Sequence, residues 1–131
     1  MILLDTNIVI AFLNGNKSVA ERIADNINKI ALSVLVVAEL NYGAKASQNA
    51  SRNLDKLTRL LDAVQTIPFD LECAEAFGSI KSRLRSIGKP TGEVDALIAA
   101  TAIAHKAMLV TGNKRHFEHI EGLRIETWPL S

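Results

Sequence analysis

MILLDTNIVIAFL, residues 1–13, decides the architecture: an apolar run from Ile2 to Leu4 of the length a buried parallel strand needs, a turn at Thr6-Asn7, then a helical run from Ile8 to Leu13. The alternation continues outward. Val19, Ile23 and Ile27 recur every four residues as one helix face, and Ile30-Ala31-Leu32 reads as the next strand. Ser33 is placed to cap a helix running to about Ala46, and Leu54, Leu57, Leu61 and Val64 mark another whose wet face carries Arg52, Lys56 and Arg59. Thr66 to Phe69 reads as a strand interrupted by Pro68, which assigns it to a sheet edge. Asp70 caps a helix through Leu84; Gly88 to Gly92 is a loop; a helix from about Glu93 to His105, a strand Met108 to Thr111, a turn Asn113 to Phe117 and a last strand Leu123 to Thr127 complete the chain. Strands separated by helices imply parallel pairing and right-handed crossovers. The expected fold is α/β, three layers (α/β/α) around a central, mostly parallel sheet of four to five strands, one domain over residues 1–131.

Composition bounds the function. With 131 residues and 48% hydrophobic content the chain suffices for one core and is not disordered. No apolar run approaches the roughly 18–20 residues of a membrane span, and the first residues lack a signal peptide's basic region, so a cytoplasmic protein is expected. The sole cysteine, Cys73, excludes an intramolecular disulfide and reads as a small buried hydrophobe on a helix. Trp128 is expected to pack the last strand onto the body. A net charge of +1 neither demands nor forbids a nucleic-acid partner.

Three acids stand in apolar or small-residue surroundings: Asp5 after Ile2-Leu3-Leu4, Glu39 after Val34 to Ala38, and Asp95 within Val94 to Ala100. A carboxylate taken out of water costs several kcal/mol unless paired, and a divalent cation is the simplest common partner. Asp5 and Thr111 end strands, where ligands of open parallel sheets bind, and Glu39 and Asp95 follow loops leaving the same edge. Hard oxygen ligands suit Mg²⁺ or Mn²⁺, which activates a water for phosphodiester hydrolysis and needs no nucleophilic side chain. Asn7 and Thr111 are placed to hold the carboxylates or a water, and Thr6 to hold the turn. His105, His116 and His119 lie near helix ends without the paired spacing of a zinc site and take structural or surface roles.

Four blocks, Met1 to Asn7, Leu32 to Ala44, Gly88 to Ala102 and Leu109 to Phe117, together resemble the PIN-domain ribonucleases, and among them the VapC toxins of bacterial type II toxin-antitoxin systems. The resemblance implies a PIN-like domain and a Mg²⁺- or Mn²⁺-dependent endoribonuclease restrained by a VapB-like antitoxin. It carries the metal-binding acids onto Asp5, Glu39 and Asp95 and the fourth catalytic position onto Asn113. Many members have aspartate there, and His116 stands where an acid often precedes the phenylalanine; an amide adds no negative charge, so one metal or two stays open. VapC-like proteins with this asparagine are associated with cutting tRNA in the anticodon loop, which makes tRNA the expected substrate.

RNA needs cations beside an acidic pocket. Lys89 precedes Asp95 and Lys114-Arg115 follows Asn113, with Lys81, Arg83 and Arg85 nearby in sequence. Single-stranded or loop RNA suits such a site because its bases are reachable. The helices spanning Leu13 to Ile27 and Ala38 to Leu61 hold more apolar residues than one sheet face needs, which suggests an exposed patch, and the resemblance implies a homodimer and an antitoxin complex. Two other readings stay open here: a PIN-like module that binds RNA or protein without cutting, and an Asp-nucleophile phosphatase, for which Asn7 occupies the place of the usual second acid.

Overall fold

Ile2–Leu4 is buried at every position and forms β1 in the middle of a five-stranded sheet. The structure is a computed structural model describing residues 1–130, so of the expected 1–131 span Ser131 lies outside the described residues. After β1 come α1 (Thr6–Leu13), α2 (Lys17–Asp25), a 3-10 turn (Ile27–Lys29), β2 (Ile30–Ser33), α3 (Val34–Ala46), α4 (Ala50–Ala63), β3 (Gln65–Ile67), α5 (Leu71–Ser86), α6 (Glu93–Ala104), β4 (Met108–Thr111), a second 3-10 turn (Lys114–His116) and β5 (Arg124–Thr127). The strand order is β3-β2-β1-β4-β5 and every pairing is parallel. This is the expected three-layer α/β/α fold. The order reverses direction at β1, so the crevice beyond the carboxyl ends of β1 and β4 is the topological switch point.

Local chemistry explains the boundaries. Asp5, Asn16, Ser33 and Asp70 each accept a hydrogen bond from a backbone N–H of the helix that follows, at 2.8, 3.0, 3.2 and 3.1 Å; such caps contribute about 1 kcal/mol each. Because Asp5 is itself the cap, α1 begins at Thr6, and the expected Thr6-Asn7 turn is instead the first helical residues. Ile27 leaves the second helix for the 3-10 turn, since α2 closes at Asn26. The third strand is an edge, as expected, but it ends at Ile67 before Pro68.

The core is aliphatic: Leu3, Leu4, Ile8, Leu32, Ile98 and Leu109 are essentially sealed from solvent. The α6 helix is apolar nearly all round, burying Ala96, Ile98, Ala99, Ala100, Thr101 and Ala102, because it packs against α5, α3 and β4. Its small side chains permit that close approach. Trp128 is 2% exposed, with the Arg22 guanidinium 5.9 Å from the ring centroid, so it anchors the end of β5 as expected. Cys73 is fully buried. Among the described residues no helix is long and apolar enough to cross a membrane.

Candidate active site

Asp5 leaves the carboxyl end of β1 with its backbone N–H donating to the Val110 carbonyl at 2.8 Å, which fixes it beside β4. Both carboxylate oxygens are engaged: one accepts from the Thr6 N–H at 2.8 Å, the other from the Thr111 hydroxyl at 2.7 Å. The Thr111 oxygen in turn accepts the Asn113 N–H at 3.0 Å. The Asn7 amide oxygen accepts from the Gly112 N–H at 3.3 Å, tying the first turn of α1 to the turn after β4. The Thr6 hydroxyl donates to Glu39 Oε1 at 2.6 Å. Thr111 thus holds a carboxylate, the position expected for it; Asn7, expected to hold a carboxylate or a water, instead ties α1 to the turn after β4, and Thr6, expected to hold a turn, lies in a helix and holds Glu39.

On the other side, Asp95 lies in the first turn of α6, 3.2 Å from His116 Nδ1, and His116 Nε2 is 2.9 Å from the Asn113 side-chain nitrogen. The amide nitrogen can only donate to Nε2, which leaves Nδ1 facing the Asp95 carboxylate. Hydrogen bonds thus link Glu39 through Thr6, Asp5, Thr111 and Asn113 to His116, whose Nδ1 lies beside Asp95. His116 is half exposed, in keeping with a surface residue, yet it contacts the site. Its separation from Asp95 hid this in the sequence; its position three residues after Asn113, in a turn following a strand, was the available signal.

Burial holds the Asp5 carboxyl above the ordinary carboxylate range against the lowering pull of the Thr111 hydroxyl and Thr6 N–H; the charge of Glu39 adds to the rise and His116 opposes it. Burial likewise raises Asp95, His116 lowers it, and Asp5 and Glu39 raise it further. Among the described residues no lysine or arginine pairs with Asp5, Glu39 or Asp95. Mutually repelling carboxylates without a cationic partner fit a divalent cation. The fit is open rather than closed. Glu39 is exposed, because Val34 to Ala38 is the first turn of α3, where Val36 faces the core and Val34 faces water. The three acids do not bring their oxygens within 4.8 Å of one another; the group among the described residues that does so is Asp70, Cys73 and His105, at the other end of α6.

Lys89, Arg115, Asp95 and His116 line one cleft of about 240 Å³, with Pro90 and Thr91 in its wall. Lys114 lies in the adjoining 3-10 turn. Lys81 instead pairs with Glu93 at 2.7 Å and donates to the Thr91 carbonyl, and Arg83 pairs with Glu121 at 2.9 Å, so these two brace the loop and helix. Glu39 also borders a groove formed by Ile10, Leu13, Leu40, Gly43 and Ala44. Ile10 is 46% and the nearby α3 residue Tyr42 76% exposed; of the two spans expected to carry an apolar patch, the first buries Val19 and Ile23, and the second buries Leu40, Leu57 and Leu60 and exposes Tyr42.

The PIN-domain family profile matches residues 2–123. The chain is 37% identical over 127 residues to a tRNA(fMet)-specific endonuclease VapC of Shigella flexneri, covering 96% of each protein. It is 37% identical over 130 residues to ribonuclease VapC2 of Rickettsia felis, again covering 96% of each. Among solved structures, VapBC2 of Rickettsia felis bound to a promoter DNA fragment contains a chain with a TM-score of 0.92 at 35% identity, covering 98% of this chain and 99% of that one. The DNA-bound VapBC of Salmonella typhimurium gives 0.92 at 33%, with 97% of each covered.

Proposed function

The chain belongs to the PIN-domain family, in its VapC-like branch, and from that premise we propose that it is the ribonuclease toxin of a toxin-antitoxin system, cutting tRNA in a single-stranded loop. The observation that carries this reading is the unneutralised carboxylate set at the switch point, where Asp5 and Asp95 are lifted by burial and no lysine or arginine among the described residues answers them. Asp5, Asp95 and Glu39 would hold Mg²⁺, with Mn²⁺ as a substitute. Since Mg²⁺ retains several waters, the carboxylates need not all touch it. When bound, the ion supplies an activated water and neutralises charge on the scissile phosphate.

The chain's own residues do the rest. Thr111 and the Thr6 N–H fix the Asp5 carboxylate, and the Glu39 carboxylate is steadied by the Thr6 hydroxyl. Asn113 holds His116 beside Asp95 at the mouth of the cleft. Lys89 and Arg115, with Lys114 beside them, offset the acids' repulsion of the RNA backbone and position it. The S. flexneri relative's name specifies tRNA(fMet); here tRNA is the substrate class we assign. The groove around Ile10, Leu13, Leu40 and Ala44 is the docking surface we assign to the VapB-like antitoxin, and the exposed apolar residues of α1 and α3 support a homodimer. The relatives' solved complexes from R. felis and S. typhimurium support the antitoxin assignment.

The test is incubation of total tRNA with the purified chain in Mg²⁺ or Mn²⁺, beside EDTA and an Asp5→Asn, Asp95→Asn double variant, with ends mapped by sequencing. Metal-dependent cutting confined to a loop and lost in the variant is expected. Metal binding with tRNA and other RNAs left intact would assign a non-cutting module.

A further inference from the structure

The amino end of α5 and the carboxyl end of α6 meet on the side of the molecule away from the acidic site; at 1.5 Å per residue, His105 lies roughly 15 Å along the helix axis from Asp95. Asp70, the cap of α5, Cys73 in its first turn and His105, the residue closing α6, bring one carboxylate oxygen, the thiol sulfur and an imidazole nitrogen within 4.8 Å of one another. From this geometry we infer a second metal site, for Zn²⁺ or a similar borderline-soft cation, that clips the two helices together.

Three observations carry it. His105 Nε2 is sealed from solvent and has no hydrogen-bond partner, an orphaned polar atom of a kind native structures seldom leave. Its nearest charged neighbour, Asp70 Oδ2, is 3.6 Å away. That is too long for a hydrogen bond but matches the roughly 3.3–3.6 Å edge of a tetrahedron with bonds of about 2.0–2.2 Å, as between nitrogen and oxygen ligands sharing one zinc. The donor set of sulfur, nitrogen and oxygen is one that zinc takes and Mg²⁺ does not. The other Asp70 oxygen already accepts the Cys73 N–H at 3.1 Å, which leaves Oδ2 free to coordinate and fixes its direction.

Chemistry at Cys73 agrees. Burial pushes its thiol up, so without a cation it stays protonated, and its burial removes it from reach as a nucleophile. Coordination releases the thiol proton to solvent and leaves a thiolate on the metal. Asp70 is exposed and opens the fourth tetrahedral position to water. Because α6 carries Asp95 at its opposite end, the clip would steady the helix that presents the acid without entering the reaction.

Cys73 is the only cysteine, so any sulfur-to-metal absorption has a single source. The experiment is a Co²⁺ titration of the full chain carrying Asp5→Asn and Asp95→Asn, which silences the acidic pocket. One equivalent should give a thiolate charge-transfer band in the near ultraviolet and tetrahedral bands in the visible, both displaced by Zn²⁺. Cys73→Ser should abolish the ultraviolet band, and His105→Gln, at a partly exposed helix end, should weaken Co²⁺ binding by more than about tenfold. Zn²⁺ should raise the melting temperature of the parent and not of His105→Gln. No thiolate band at millimolar Co²⁺, or unchanged affinity in His105→Gln, overturns the site and leaves Asp70 and His105 as an ordinary ion pair.

Discussion

Replacing Thr111 by valine keeps the volume and the branched shape of a fully buried β4 residue while deleting one hydroxyl. That hydroxyl donates to Asp5 at 2.7 Å and accepts from Asn113 N–H at 3.0 Å. A hydrogen bond to a charged group contributes about 1.5–3 kcal/mol, and Asn113, half-exposed, recovers part of its loss from water at a cost of about 0.5–1 kcal/mol. Thr111→Val should therefore destabilise the metal-free protein by about 3 kcal/mol at pH 7, or about 10 °C in Tm for a chain of this size. The loss should depend on pH with a definite sign. The hydroxyl favours the ionised carboxylate, so its removal hurts most where Asp5 is charged. Near pH 3.8, the ordinary aspartate value, the folded Asp5 is mostly protonated because burial has raised it, and the penalty should shrink to about 1 kcal/mol. Urea unfolding of parent, Thr111→Val and Thr111→Ser in EDTA at both pH values measures this; the serine variant keeps the hydroxyl and should show a methyl's loss that does not vary with pH. A valine penalty under about 1 kcal/mol at pH 7, or one equal at the two pH values, would refute the assignment of Thr111 as the brace of a charged Asp5.

In the metal-free parent, Asp5 and Asp95 bind more protons folded than unfolded between pH 3.8 and their raised values, so stability should fall as pH climbs through that window. Mg²⁺ should cancel the fall at neutral pH, and the Asp5→Asn, Asp95→Asn variant should be flatter with pH and unresponsive to Mg²⁺, both read from the urea midpoint. A Lys89→Ala, Arg115→Ala variant should fold normally, bind RNA more weakly and lose about 1.4 from the slope of log K against log salt, as expected for two phosphate contacts to a single strand; an unchanged slope would remove both from the interface. At Gly112 an added Cβ would lie 2.5 Å from Leu130 Cδ1 and 2.8 Å from its Cγ. Gly112→Ala should therefore displace Leu130 and weaken the Asn16 bond to the Leu130 carbonyl, costing about 1–3 kcal/mol as an overpacking change, measured by thermal unfolding.

Much of this was legible from residue order because local and global preferences agree. Ile2 to Leu4 could satisfy its burial only inside a sheet, and Ser33 and Asp70 cap the helices they precede. Thr6 and Asn7 were expected as a turn, but one Asp5 carboxylate oxygen caps α1 and starts the helix at Thr6, while the other accepts from the Thr111 hydroxyl. Contacts across the chain were less visible. His116 meets Asp95 only because the 3-10 turn at Lys114–His116 folds it back toward α6, and His105 meets Asp70 only because α5 and α6 run antiparallel. Nor does an apolar run betray its exposure: Val34 to Ala38 looked like an enclosure for Glu39 and is a helix turn half in water.

Strand order has a bearing on timing. β1 is made well before one of its two neighbours, β4, and the Asp5 to Thr111 bond spans 106 positions. During synthesis the early segments can pair β1 with β2, while the flank that braces Asp5 is still unmade. Closing so long a loop also comes late in folding, since its entropy must be met before the contact rewards it. The centre that we assign to cutting RNA therefore cannot assemble until β4 has been made and has paired with β1.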